Sequence, residues 1–181
     1  MLATSRALRS LAPARTPPRT RTAMVAAAKD VTHEAATIAG AAKRVAVVGV
    51  RPPTPALANR PAAFVPAALA ADGVAIVPIP ITPALEAESY FGAVPLTLAD
   101  LARVPPVDCV VFFRKPADLP PAAEVVAALT ANKGSAAGAA MPVAWLQSGI
   151  RAPAWETDLL AGGVPVVADR CIKVERARAR L

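Results

Sequence analysis

Arg44-Val45-Ala46-Val47-Val48-Gly49-Val50, followed at once by Arg51-Pro52-Pro53, restricts the folds open to this chain more than any other stretch. A mostly β-branched run with no polar residue at every second place has no face to offer water, so it reads as a strand buried on both sides within a parallel sheet. The glycine at its carboxyl end lets the chain turn sharply and lets a ligand come close to the backbone. In a doubly wound fold, the ground beyond the first strand faces the N-terminus of the next helix, and phosphate-bearing ligands commonly sit there.

The rest of the chain repeats the pattern of strand, loop and helix. A short helix over Lys29–Ala42, with Thr32 as its cap, leads into the first strand. Pro61 opens a helix with Phe64, Val65 and Leu69 on its apolar side; Pro66 must fall within about its first turn, and Gly73 ends it. Strand two is Val74–Val77, stopped by Pro78-Ile79-Pro80-Ile81-Thr82-Pro83. An ordered excursion over Glu86–Pro95 and a short helix over Leu96–Leu101 precede strand three, Val107–Phe113. A helix over Ala117–Ala131, a flexible loop over Lys133–Ala140, strand four at Val143–Leu146, a helix over Pro153–Ala161 and strand five at Val164–Val167 follow. This alternation predicts a single α/β domain, a Rossmann-like, doubly wound parallel sheet of about five strands with right-handed crossovers. The expected layout is a leading helix and linker over 28–43, the domain over 44–175 and a basic tail over 176–181.

Charge and composition narrow the function classes. The apolar runs are of strand length and broken by proline, glycine or charge, so none reaches the roughly 20 residues of a spanning helix, and no membrane association is expected. Five arginines precede the first acidic residue, Asp30, and without them the net charge drops from +7 to +2. With aromatics at 4%, that near balance argues against nucleic acid as a partner. Residues 1–27 are rich in Arg, Ser, Thr, Ala and Pro and hold no acid, the composition of an organellar transit peptide. Val25–Ala28 suits a plastid processing site, so a chloroplast is expected ahead of a mitochondrion.

Loops after strands one to four should gather along one edge of such a sheet. They bring Gly49, Arg51, Asn59, Arg60, Arg114, Lys115, Gln147, Ser148 and Gly149, two basic pairs with several amides. That set suits a ligand with more than one phosphate, because guanidinium groups grip phosphate oxygens bidentately and helix amides add donors. A nicotinamide-dependent dehydrogenase would need a Gly-x-Gly-x-x-Gly turn and an acid after strand two; Gly49 stands alone, and no acid lies between strand two and Glu86. The P-loop string is missing too. His33, the only histidine, precedes the first strand, Cys109 sits inside an apolar run, Cys171 stands among charges, and no set of acids marks a metal site. A binding module without catalytic residues or metal is therefore expected.

Several strings carry a family resemblance: Val45–Gly49, Arg60-Pro61, Val77–Pro80, Tyr90-Phe91-Gly92, Val107-Asp108 with Phe113–Pro116, Trp145–Ile150 and Asp169–Ile172. Over about Thr37 to Glu175 the chain resembles the small single-domain CoA-binding family, which is similar to the nucleotide-binding domain of the succinyl-CoA synthetase alpha subunit. The resemblance implies coenzyme A or an acyl-CoA held along the carboxyl edge of the strands, with no assigned reaction. It also implies that Gly49 and the Arg60 region face the pyrophosphate and that the Ile79-Pro80 corner borders the adenosine. Arg114 and Gln147 to Gly149 would line the neighbouring loops. The chain departs from the family pattern at Val50 and Arg51, at Pro80-Ile81 and at Ala62, where small, hydroxyl or amide residues are usual. These departures keep open a domain that has lost its ligand and works through protein contacts, with a weak nicotinamide-nucleotide enzyme as a further alternative. A homodimer is open as the assembly.

Overall fold

Strands β1 (Arg44–Val50), β2 (Ala75–Pro80), β3 (Cys109–Phe112), β4 (Val143–Leu146) and β5 (Val166–Val167) form one sheet in the order β2-β1-β3-β4-β5, parallel throughout. The computed structural model describes residues 28–52, 54–80, 90–134 and 139–181. The expected transit peptide, Ile81 with the first part of the 86–95 excursion, and the middle of the 133–140 loop lie outside them.

Period-two alternation sends successive side chains of each strand to opposite faces, and both faces are covered. Val45, Val47, Ile76, Val111 and Trp145 pack with residues of α1 (Ala35–Ala41), α2 (Pro61–Ala71) and α5 (Ile172–Arg178). Ala46, Val48, Val77, Val110, Phe112 and Leu146 pack with α3 (Ala122–Asn132), α4 (Pro153–Ala161) and a 3-10 turn at Ala99–Arg103. The Phe112 and Trp155 rings meet edge to face with centroids 5.1 Å apart. The result is three layers, helix, sheet and helix, as the alternation predicts.

Several elements differ from their sequence expectation, and the main differences have physical reasons. β2 continues through Pro78 to Pro80 because it is an edge strand. The Pro78 carbonyl accepts from Leu96 N at 2.9 Å on the side away from β1, so the missing N–H of Pro78 costs the ladder nothing. The helix expected over Ala117–Ala131 is split by Pro120-Pro121 into a 3-10 turn at Pro116–Asp118 and α3. Thr32 is not a helix cap: its Oγ1 accepts from Ala168 N at 3.0 Å and ties the leading turn to the end of β5. The expected basic tail begins inside α5, which runs to Arg178 and packs against α1. There Arg176 Nη1 donates to the carbonyls of Ala39 and Ala42 at 2.7 and 2.9 Å, satisfying the open end of α1.

Strand three also starts two residues late, at Cys109 rather than Val107. Val107 gives its N–H to Asn132 Oδ1 at 2.8 Å instead of to a strand, and the Asp108 carboxylate accepts from the amides of Lys43 and Arg44 at 2.8 and 2.9 Å, fixing the start of β1.

Candidate functional site

The order β2-β1-β3 means that successive crossovers leave β1 in opposite directions, so a crevice opens at the carboxyl ends of β1 and β3. Gly49 shapes this point. Its φ of +85° accompanies a register shift between Val48 and Val50 against β2, a bulge that turns Val50 onto the same face as Val45 and Val47. A Cβ at Gly49 would lie 2.9 Å from the Phe113 carbonyl oxygen and 3.2 Å from Arg114 Cδ. The missing side chain is thus filled from β3: glycine here lets the Arg114 side chain lie over the end of β1.

The loop leaving β1 is anchored through an imperfection in α2. Pro66 lies in the sixth position of that helix, beyond the first turn that sequence reasoning required, and it cannot donate to the Ala62 carbonyl. Arg51 N takes that acceptor at 3.0 Å, joining the β1 exit to the start of α2. Asn59 and Arg60 are exposed in the turn that opens α2, with Arg60 N donating to the Leu57 carbonyl. Burial holds the pKa of the enclosed Tyr90 phenol above its usual range, and the charge of nearby Arg51 offsets only part of that rise. Tyr90–Ala93 is a tight turn closed by a pair of amide–carbonyl bonds, with φ of 52° at Phe91 and 78° at Gly92.

On the β3 side, Arg114 Nε donates to the Asp118 carbonyl at 3.1 Å, and Lys115 is exposed beside it. Among the described residues no carboxylate pairs with Arg51, Arg60, Arg114 or Lys115. Three arginines in and just after α5, by contrast, are matched: Arg178 with Glu175, and Arg176 and Arg180 with Asp72. Unmatched guanidinium and ammonium groups in the segments that leave β1 and β3 suit a polyanion such as a diphosphate.

The other sequence-singled residues divide. Ile79 faces the core with Val77, and Pro80 is the half-buried last residue of β2. Ser148 and Gly149 are exposed at the end of β4. Gln147 follows the same strand but turns inward and is only 4% exposed. Its Oε1 accepts from Ile172 N at 3.0 Å, and its Nε2 lies 3.8 Å from Cys171 Sγ. Gly149 N donates to Asp169 Oδ1 at 2.7 Å, and Trp145 Nε1 to the Arg170 carbonyl at 2.7 Å. The Trp145–Gly149 and Asp169–Ile172 strings therefore lace β4 to the corner between β5 and α5. Sequence reasoning missed this lacing, although each string is a compact set of hydrogen-bonding residues at a strand end.

The remaining candidates for chemistry stand apart. His33 is exposed on the leading 3-10 turn, with Nε2 3.3 Å from Glu34 Oε1. Cys109 is fully buried, and that burial, with the Asp108 carboxylate adding to it, pushes its thiol up to about 12. Among the described residues no three His, Cys, Asp or Glu side chains gather as a metal group, and no helix is long and apolar enough to cross a membrane.

Fold and crevice together define a class, the open parallel α/β domains of Rossmann type that take ligands beyond the carboxyl ends of their strands. The family model described as a CoA binding domain matches residues 43–177, and the chain belongs to that family. A solved structure of a Thermus thermophilus protein shares 34% identity at a TM-score of 0.63, covering 82% of this chain and 98% of its own. Two others share the fold: a protein redesigned for binding (24% identity, TM-score 0.61, 82% and 92% covered) and a hypothetical protein from Pyrococcus horikoshii OT3 (23%, 0.61, 83% and 92%). No curated protein matches this chain.

Proposed function

We propose that this chain binds coenzyme A or an acyl-CoA in the crevice above β1 and β3, as a binding or sensing module without a reaction of its own. The reading is supported by the placement of Arg51, Arg60, Arg114 and Lys115, none matched by a described carboxylate, in the segments that follow β1 and β3 of a CoA-binding family domain. A non-catalytic role is supported by the sites of the usual nucleophile and base: Cys109 is sealed in the core, and His33 lies on the leading turn before β1. The test is calorimetric titration of the protein with CoA, acetyl-CoA, NADH and ATP. Heat with the CoA compounds at micromolar to millimolar ligand is expected; heat with NADH or ATP alone overturns the reading.

A second reading, a domain acting through protein contacts, draws on the inward turn of Gln147, whose Oε1 accepts from Ile172 N at the start of α5. Under that reading no nucleotide moves the melting temperature. The basic, acid-free composition of residues 1–27 supports organellar import, into a chloroplast ahead of a mitochondrion. A fluorescent fusion that stays in the cytosol would refute that part.

A further inference from the structure

In Rossmann-type sites the loop after the first strand commonly presents backbone N–H groups to the diphosphate. Here prolines and internal bonds thin out such donors, leaving Ala56, Ala58, Asn59 and Ala62 as the N–H groups without a described partner. Pro52, Pro53, Pro55 and Pro61 have no N–H at all. Arg51 N donates to the Ala62 carbonyl at 3.0 Å, Thr54 N to Pro52 at 2.8 Å, Leu57 N to Thr54 at 2.9 Å and Arg60 N to Leu57 at 2.8 Å. The first turn of α2 folds back on itself in the same way, with Ala63 N and Phe64 N both donating to the Arg60 carbonyl.

Side chains offer what the backbone does not. Arg51 is half-buried at the exit of β1, pairs with no described carboxylate, and has its charge near the Tyr90 phenol. Arg114 is held over Gly49, and its single bond, from Nε to the Asp118 carbonyl, leaves both Nη groups without a described partner. β1 and β3 are hydrogen-bonded neighbours, with Val48 opposite Phe112 and Phe113 N donating to Val48 at 2.9 Å. Two arginines therefore follow adjacent strands at the switch point, Arg51 at the exit of β1 and Arg114 at the exit of β3.

We propose that the diphosphate is held here by the guanidinium groups of Arg51 and Arg114 in place of the loop amides, an inference that rests on the nucleotide-binding reading above. Pro66 is part of the device: by leaving the Ala62 carbonyl open it ties down the Arg51 backbone. The Arg51 side chain is then the part of the residue left for a ligand. Recognition of this kind follows charge and fork geometry, so it is sensitive to salt and to exchange of arginine for lysine.

The test is titration of the full chain with CoA and, separately, with inorganic diphosphate, at about 50 and about 200 mM salt. The variants are Arg51→Gln, Arg114→Gln, Arg51→Lys and, as a surface control, Arg103→Gln. The proposal expects each glutamine variant to melt like the parent, to bind both ligands roughly tenfold or more weakly, and to lose part of the salt dependence. Arg51→Lys should recover part of the affinity, and Arg103→Gln should match the parent. Folded glutamine variants that bind like the parent, with loop amides newly protected from hydrogen exchange, would overturn it in favour of backbone recognition. Arginine-dependent binding of diphosphate without binding of CoA would sink the CoA reading and leave this proposal standing. Binding of neither ligand would end both.

Discussion

Gly49 and Cys109 occupy neighbouring strands, and each shows what a single position contributes. Gly49 combines a φ of +85° with the Phe113 carbonyl at 2.9 Å from where a Cβ would be. Alanine there takes on the left-handed backbone cost of roughly 1–2 kcal/mol and a backbone clash that no rotamer relieves. Gly49→Ala should therefore lower the unfolding free energy by about 2 kcal/mol or more in denaturant titration, and move Arg114 off the end of β1. Cys109 acts through pH. Its thiol ordinarily ionises near 9.0 and in the folded protein only near 12, so between those values the unfolded chain loses a proton that the folded chain keeps. Its contribution to stability is complete below pH 9 and declines above it, at up to about 1.4 kcal/mol per pH unit. Melting curves from pH 8 to 10.5 should fall more steeply for the parent than for Cys109→Ala.

At the scale of elements, proline separates what the sequence makes legible from what it hides. The apolar runs of β1, β3 and β4 and the Pro153–Ala161 helix are plain in the chain because their patterns depend on local residues alone. Pro78 and Pro80 mark the end of a strand in any sequence reading, yet they belong to β2 because that strand has a neighbour on one side only along its ladder. Edge position is a property of the sheet, and no local pattern encodes it. Pro66 is similar: a fault in α2 when read alone, it becomes an attachment point once the β1 exit loop is in place. An interior helical proline ordinarily costs about 3 kcal/mol. Because the Ala62 carbonyl is satisfied by Arg51 here, Pro66→Ala should gain about 1 kcal/mol or less by thermal melting. The Arg51 amide should exchange faster in that variant as the new helical donor competes for its acceptor.

Across the whole molecule, the two ends of the described chain meet. α1 precedes the first strand and α5 follows the last, and they pack together under the sheet so closely that a Cβ on Gly40 would fall 2.6 Å from that of Ala179. Sequence reading set 176–181 apart as a basic tail because its charges dominate, whereas Arg176 continues α5 beyond the buried Glu175 and reaches across to α1. Arg176→Ala removes donors to the Ala39 and Ala42 carbonyls and an ionic contact to Asp72 at 3.5 Å. A loss of about 2 kcal/mol is expected, with α1 and α5 losing hydrogen-exchange protection together. The candidate crevice was legible as a set of loops, since parallel topology alone brings them to one edge. Which donors in those loops are already bonded was not, because the Arg51–Ala62 and Gln147–Ile172 bonds join residues from different elements. The lacing of Trp145, Gln147 and Gly149 to the Asp169–Ile172 corner has a consequence for kinship. Much of the spelling by which relatives are recognised is the fold's own fastening, so ancestry can stay readable in a descendant whose cargo has changed.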